Sequence, residues 1–131
     1  MTSRVASCSC GQLRVTCEGE PVRAAICHCL ACQKRTGSVF AVTARFPREA
    51  VTSEGRAAEW SRQGDSGHVA TFHFCPTCGS TVWWNLGPDF IAVTVGAFAD
   101  PSFPPPVLSV YDDRQHPWAM AAGELPMEHY A

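Results

Sequence analysis

Eight cysteines in 131 residues, seven of them packed into three short clusters, restrict this chain more than any other feature. The clusters are Cys8-Ser9-Cys10-Gly11, Cys27-His28-Cys29-Leu30-Ala31-Cys32 and Cys75-Pro76-Thr77-Cys78-Gly79, and Cys17 stands apart. Residues Met1 to Ser7 have no apolar core and no cleavage-site pattern, so an export signal is not expected and a cytoplasmic location is. Thiols stay reduced there, and clustered cysteines then read as metal ligands rather than disulfides.

A turn carrying two cysteines aims both sulfurs at one ion. Zinc takes four such ligands when structural, and often three plus a water or substrate when catalytic. Clustered thiolates favour zinc over magnesium or calcium. Seven cysteines divide as four plus three, which gives one closed site and one open site, two zinc ions per chain. Spacing leaves two divisions. Cys29 and Cys32 with Cys75 and Cys78 would form an ordinary zinc ribbon and leave Cys8, Cys10 and Cys27 unassigned. Cys8 and Cys10 with Cys75 and Cys78 would leave Cys27, Cys29 and Cys32 as a compact local trio with a coordination position free. The second has geometry in its favour, because three ligands within six residues can hold an ion from one small turn. A single structural zinc is the plainer alternative. An iron–sulfur cluster fits poorly, since the spacing matches neither common ferredoxin pattern. Cys17, on the inward face of an expected strand, reads as core filler.

Around the clusters the sequence alternates in short runs bounded by turn residues. Gln12 to Cys17 places Leu13, Val15 and Cys17 on one face, and Ser38 to Phe46 does the same for Phe40, Val42, Ala44 and Phe46. Val69 to Phe74, Thr81 to Trp84 and Phe90 to Val95 are rich in β-branched and aromatic residues. Glu49 to Gly67 is polar and reads as a surface hairpin or excursion around Trp60. The one helical candidate is Leu30 to Arg35, ended by Gly37. Ten prolines argue against longer helices. A mainly β fold in one domain over residues 1–131 is expected, with a very short helix after the Cys-His-Cys-x-x-Cys motif.

Charge excludes some partners. Charged residues are 17% of the chain and the formal net charge is -2, with no basic stripe, so neither nucleic acid nor an anionic membrane is an expected partner. The longest apolar stretch, Phe90 to Ala99, is about half of what a membrane span needs. The oligomeric state is not legible.

Three passages together resemble the glutathione-dependent formaldehyde-activating enzyme family, the CENP-V/GFA domain. They are Ser7-Cys8-Ser9-Cys10-Gly11, Cys27-His28-Cys29 through Cys32-Gln33 to Thr36-Gly37, and Phe72 through Phe74-Cys75-Pro76-Thr77-Cys78-Gly79-Ser80. The resemblance implies a tent-like arrangement of small β-sheets related to zinc ribbons. It implies that Cys8, Cys10, Cys75 and Cys78 bind a structural zinc and Cys27, Cys29 and Cys32 a catalytic one. It also implies S-(hydroxymethyl)glutathione synthase activity, a carbon–sulfur lyase in reverse, with glutathione and formaldehyde as substrates. Family members often carry a histidine shortly before an Arg-x-x-Trp-like element. Here Val107 to Tyr111 holds none, although Arg114 and Trp118 follow.

Three thiolates on Zn²⁺ leave a net charge of about -1, which blunts water activation but still lets a soft thiol bind as thiolate. Lys34 and Arg35, directly after Cys32, are the candidates to compensate its charge and so to bind substrate. His28 is a candidate proton shuttle, and Trp83, Trp84 and Phe40 are candidates for a pocket wall. The competing class is a non-catalytic, zinc-stabilised binding module whose open position is capped by a side chain.

Overall fold

The computed structural model describes residues 2–119 and 125–131, and within them the chain is mainly β. Three strands form a small antiparallel sheet: β1 (Ser3–Ser7), β2 (Arg14–Glu18) and, after two intervening strands, β5 (Val51–Glu54), in the order β1-β2-β5. The larger sheet contains β3 (Arg23–Cys27), β4 (Ala41–Pro47), β6 (Ala58–Gln63), β7 (Val69–Phe74), β8 (Thr81–Leu86), β9 (Phe90–Thr94), β10 (Leu108–Val110) and β11 (Glu128–His129). Its order is β11-β10-β3-β4-β9-β8-β7-β6, antiparallel except where β10 runs parallel to both β3 and β11. The single α-helix among the described residues, α1 (Leu30–Thr36), follows β3. No helix among the described residues is long and apolar enough to cross a membrane.

Alternation accounts for the strands nearest the core. Leu13, Val15 and Cys17 are fully buried along β2, and Val82, Ile91, Val93, Ala44 and Phe46 meet them from β8, β9 and β4. That cluster lies between the two sheets and includes Cys8 and Cys75. A second cluster, Phe72, Trp84 and Ala92, lies on the other face of the larger sheet, with Ala70 and Leu86 packed against it. Trp83 and Trp84, adjacent on β8, therefore serve opposite faces: Trp83 packs against the main core and Trp84 belongs to the second cluster.

Two expectations change on contact with the structure. The strand expected from Ser38 begins only at Ala41, and Phe40 instead lies 6.1 Å from the His28 ring, centroid to centroid. The segment Glu49 to Gly67 is not one hairpin. β5 pairs with β2 in the small sheet and β6 pairs with β7 in the large one, so the chain changes sheets between them. Gly55 makes that change possible: its φ of 94° is left-handed, and a Cβ there would collide with the carbonyl oxygen of Gln12.

Candidate metal centres and the cavity

The two outer cysteine motifs sit on matching turns that face each other. On the first, Gly11 donates its amide to Cys8 O at 3.0 Å and Cys8 donates to Leu13 O at 2.9 Å, closing the β1–β2 connection. On the second, Gly79 donates to Cys75 O at 2.8 Å and Cys75 to Ser80 O at 3.0 Å, closing the β7–β8 connection. Gly11 and Gly79 both adopt left-handed backbone, φ 83° and 82°, which lets each turn curl around its sulfurs. The Ser9 and Ser80 hydroxyls meet at 2.9 Å between the turns. Cys8, Cys10, Cys75 and Cys78 thereby bring four sulfurs within 4.8 Å of one another.

That group fits one tetrahedral ion. Bonds of 2.3 Å to sulfur, the zinc value, imply sulfur–sulfur edges of about 3.8 Å. Cys8 to Cys10 is 3.6 Å and Cys10 to Cys75 is 3.7 Å. The surrounding donors are those that stabilise thiolates: Leu13 N reaches Cys8 Sγ at 3.3 Å, Thr77 N reaches Cys75 Sγ at 3.4 Å, and Gln12 Nε2 reaches Cys75 Sγ at 3.0 Å. Gln12 is itself fixed from both ends, its Nε2 donating to Arg56 O at 2.7 Å and its Oε1 accepting from Arg56 N at 2.9 Å.

The remaining cluster forms a second group. β3 ends at Cys27, His28 N donates to Val110 O of β10 at 3.0 Å, and Cys29 caps α1 by accepting from Cys32 N at 3.3 Å. Helix α1 stops where Gly37 takes φ 70° and donates to Gln33 O at 2.9 Å, as the sequence led one to expect. The sulfurs of Cys27, Cys29 and Cys32 again lie within 4.8 Å of one another, and among the described residues no fourth cysteine, histidine or carboxylate joins them. The donor set suits a thiophilic ion with one position left over.

Thiols this close compete for protons. Cys29 is pulled down to about 2, foremost by hydrogen bonding from Cys27 and then Cys32, while the same contact with Cys29 pushes Cys27 up. In the outer group Cys78 is drawn to about 5, first by the Ser80 amide and next by that of Cys10. A divalent cation in each group would let every sulfur be a thiolate.

The groups differ most in what lies beside them. Cys27, Cys29 and Cys32 line a cavity of about 560 Å³, and none of the four outer cysteines does. Its wall is the face of the larger sheet that carries Phe72 and Trp84, with Arg23, Arg45, Arg62 and Arg114 around it and Asp65 the sole acidic residue among the described residues that line it. Arg62 Nη2 lies 4.0 Å from Cys32 Sγ, and its guanidinium covers Phe72 at 5.4 Å. Arg35 is held against Trp84 at 4.6 Å and Phe72 at 5.0 Å, and its Nε and Nη2 are buried without a hydrogen-bond partner. Burial is the main influence lowering its pKa, and the neighbouring Cys32 opposes it.

The other sequence candidates separate. Lys34 is exposed on α1 and does not line the cavity. His28 is buried, with Nε2 3.9 Å from Asp112 Oδ1 and Nδ1 unpartnered, and it too lies outside the cavity lining. Trp84 lines the cavity, whereas Trp83 stacks on His73 with the ring planes 3.6 Å apart, centroid to centroid. Sequence reasoning passed over Gln33, which ties the trio to the C-terminal segment: Nε2 donates to His28 O at 2.9 Å and Arg114 O at 3.2 Å, and Oε1 meets His116 Nε2 at 2.9 Å. It also passed over Arg62, whose position beside Cys32 depends on strand pairing that no local motif encodes.

Fold and cysteine groups together define a β protein built around two cysteine clusters that could each hold a metal ion, one enclosed between turns and one opening on a cavity. The model of the glutathione-dependent formaldehyde-activating enzyme family matches residues 3–114, and the chain belongs to that family. No curated protein matches it. In structure it is similar to the crystal structure of a Rhodobacter sphaeroides protein, with a TM-score of 0.54 and 21% identity, covering 71% of this chain and 85% of that one. At that identity the likeness speaks for the fold alone.

Proposed function

We propose that the chain is a zinc-dependent carbon–sulfur lyase, or synthase in the other direction, that joins a glutathione-type thiol to an aldehyde such as formaldehyde. The observation that carries this reading is the asymmetry between the groups: the three-cysteine group opens on a cationic cavity and has no fourth protein ligand among the described residues. In it Cys8, Cys10, Cys75 and Cys78 hold a structural zinc, and Cys27, Cys29 and Cys32 a catalytic one. What bound zinc supplies at the open position is a soft Lewis acid that keeps a thiol in its thiolate form.

The chain's own residues do the rest. Three cysteine thiolates and an incoming fourth leave about two negative charges around a dication, and Arg35 and Arg62 offset them from the Cys32 side. Phe72 and Trp84 keep both guanidiniums in place and exclude water beside them. Addition forms the carbon–sulfur bond and breaks the carbonyl π bond, and the proton lost by the thiol ends on the new hydroxyl oxygen. Cleavage is the reverse, and no oxidant takes part. A reducing, cytoplasmic setting suits seven cysteines kept as metal ligands rather than disulfides.

Cobalt substitution tests the reading. Glutathione should intensify the sulfur-to-metal charge-transfer absorption of the cobalt protein, S-methylglutathione should not, and Cys32→Ser should abolish the response. The zinc protein should also speed the approach to equilibrium between formaldehyde and glutathione over a protein-free control. A cobalt spectrum that no small thiol moves would replace the enzyme reading with that of a non-catalytic, zinc-stabilised module.

A further inference from the structure

We propose that Tyr111 gives its hydroxyl proton to the carbonyl oxygen as the thiol adds, and takes it back when the adduct is cleaved. The inference rests on the thiol–aldehyde reading just given and assigns the proton transfer to a side chain.

Backbone geometry brings the ring to the cysteines. Leu108 and Val110 of β10 line the cavity, and Val110 lies opposite Cys27 in the parallel pair with β3. Ser109, between them, is buried on the other side. Extended backbone would send Tyr111 to the Ser109 side as well. Tyr111 instead takes left-handed backbone, φ 57° and ψ 41°, and lines the cavity with Cys27, Cys29 and Cys32. Such backbone is unfavourable for a large side chain, and surrounding contacts must offset its cost. Arg114 N donates to Tyr111 O at 3.0 Å, Asp112 N to Tyr130 O at 2.8 Å, and Ser109 Oγ to Asp112 Oδ1 at 2.6 Å. Gln33 Nε2, bonded to both His28 O and Arg114 O, ties this turn to the one that carries the trio. Glycine or asparagine would make the same turn at less cost, so turn closure alone does not call for a tyrosine.

The hydroxyl is held in place and unspent. The Arg114 guanidinium covers the ring at 5.0 Å and is itself paired with Asp65 at 3.6 Å and Asp113 at 3.8 Å. The other tyrosine, Tyr130, donates to Glu128 Oε2 at 2.9 Å, whereas the Tyr111 hydroxyl has no hydrogen-bond partner among the described residues. The remaining proton carriers in the lining suit the task less well. His68 is exposed on the β6–β7 turn, Asp65 is engaged with Arg114, and the alcohols of Thr43 and Ser66 are weaker acids than a phenol.

The step balances. The sulfur forms its bond to the carbonyl carbon, the π pair moves to oxygen, and the Tyr111 proton follows it there. The phenolate then recovers from solvent the proton that the thiol released on binding. Cleavage runs the same transfers backwards.

The test compares zinc-loaded wild type with Tyr111→Phe in releasing formaldehyde from S-(hydroxymethyl)glutathione, each corrected for the protein-free rate. Glutathione binding is read separately from the absorption of the cobalt-loaded proteins. Tyr111→Phe should lower kcat by roughly 100- to 10,000-fold, the contribution of a positioned acid or base, and leave KM and the cobalt titration within about threefold of wild type. Its melting temperature should stay within about 2 °C, since the lost hydroxyl bonds nothing in the fold. Tyr111→Asn, which suits left-handed backbone, should be as slow as Tyr111→Phe. A kcat within about threefold of wild type in either variant would overturn the assignment and leave the thiol reading standing. So would a loss confined to KM, or a Tyr111→Phe melting temperature more than about 5 °C lower, since each would make Tyr111 a support rather than a proton carrier. Wild type whose cobalt spectrum glutathione does not move, or whose zinc form is no faster than the control, would take down both.

Discussion

The two cysteine groups offer nearly the same chemistry and are assembled in opposite ways. Cys27, Cys29 and Cys32 come from six consecutive residues at the end of β3 and the start of α1, and one local turn aims all three. Cys8 and Cys10 must instead meet Cys75 and Cys78 from more than 60 residues away, with Cys10 and Cys75 separated by 65 positions. The first group can form wherever its turn forms. The second exists only if the β1–β2 and β7–β8 connections are already facing, and an ion bound there closes a long loop. Loop-closure cost rises with length, so the distant group is the one whose metal has leverage on folding.

The sharpest way to break this comparison is to remove one sulfur from each group. Cys75→Ser should unfold the chain or leave it without fixed packing, because apparent binding energies of structural zinc are on the order of 10 kcal/mol, comparable to a domain's whole stability. Cys75 is also fully buried in the main core, so its partners cannot simply turn to water. Cys29→Ser should stay folded and carry one zinc per chain where wild type carries two. Elemental analysis with far- and near-ultraviolet circular dichroism reads both. Equal damage from the two changes would mean that the local group is as structural as the distant one.

A smaller effect sharpens how the distant group is supported. Gln12 is the side chain that binds Cys75 Sγ while clamping Arg56 through two further hydrogen bonds. Gln12→Ala leaves a sulfur short of a donor and the residues after Gly55 without their anchor. The cost should be about 1–3 kcal/mol, lowering the melting temperature by roughly 5–10 °C with both metals retained. A melting temperature within 2 °C of wild type would show that the backbone turns hold Cys75 without this support.

The same contrast governs what the sequence disclosed. The local trio was visible as a trio, because its spacing and its turn are written in adjacent residues. The distant group was not separable from the zinc-ribbon alternative by spacing, since nothing in Cys8-x-Cys10 says which later knuckle it faces. β2 and β4 were legible from alternation, and β7, β8 and β9 from their β-branched and aromatic residues. β3, with Ala24 and Ala25 at its centre, and β6, polar except for Ala58 and Trp60, were not, because one face of each looks onto the cavity or solvent and needs no apolar residue. That is also why Arg23, Arg45 and Arg62 went unnoticed: they belong to the site by register, and register is set by partners far along the chain. Of the two charges sought beside Cys32 in sequence, Lys34 is exposed and outside the cavity lining and Arg35 lies against Phe72 and Trp84, while Arg62 comes within 4.0 Å of Cys32 Sγ from a strand 30 residues on.

Cys17 is the control for both groups, a cysteine with no companion sulfur. It is fully buried in β2 among Leu13, Val15 and Phe46, and burial pushes its thiol from an ordinary 9.0 up to about 12, with Arg4 pulling weakly the other way. Its folded state therefore holds a proton that the unfolded chain releases earlier. The sign follows: the contribution is fully present below pH 9 and is lost as pH rises through the window from about 9 to about 12. Cys17→Ala should cost about 1 kcal/mol near neutral pH, from the lost sulfur and the small void it leaves. That deficit should shrink at pH 10 and above, because the variant has no thiol to ionise on unfolding. In native wild type at pH 8, iodoacetamide should also spare Cys17 under conditions that alkylate the apo trio. A deficit constant from pH 7 to pH 11, or labelling of Cys17 as fast as of Cys29, would mean that its thiol is not sealed in the core and that the contrast between ligand and filler cysteines fails.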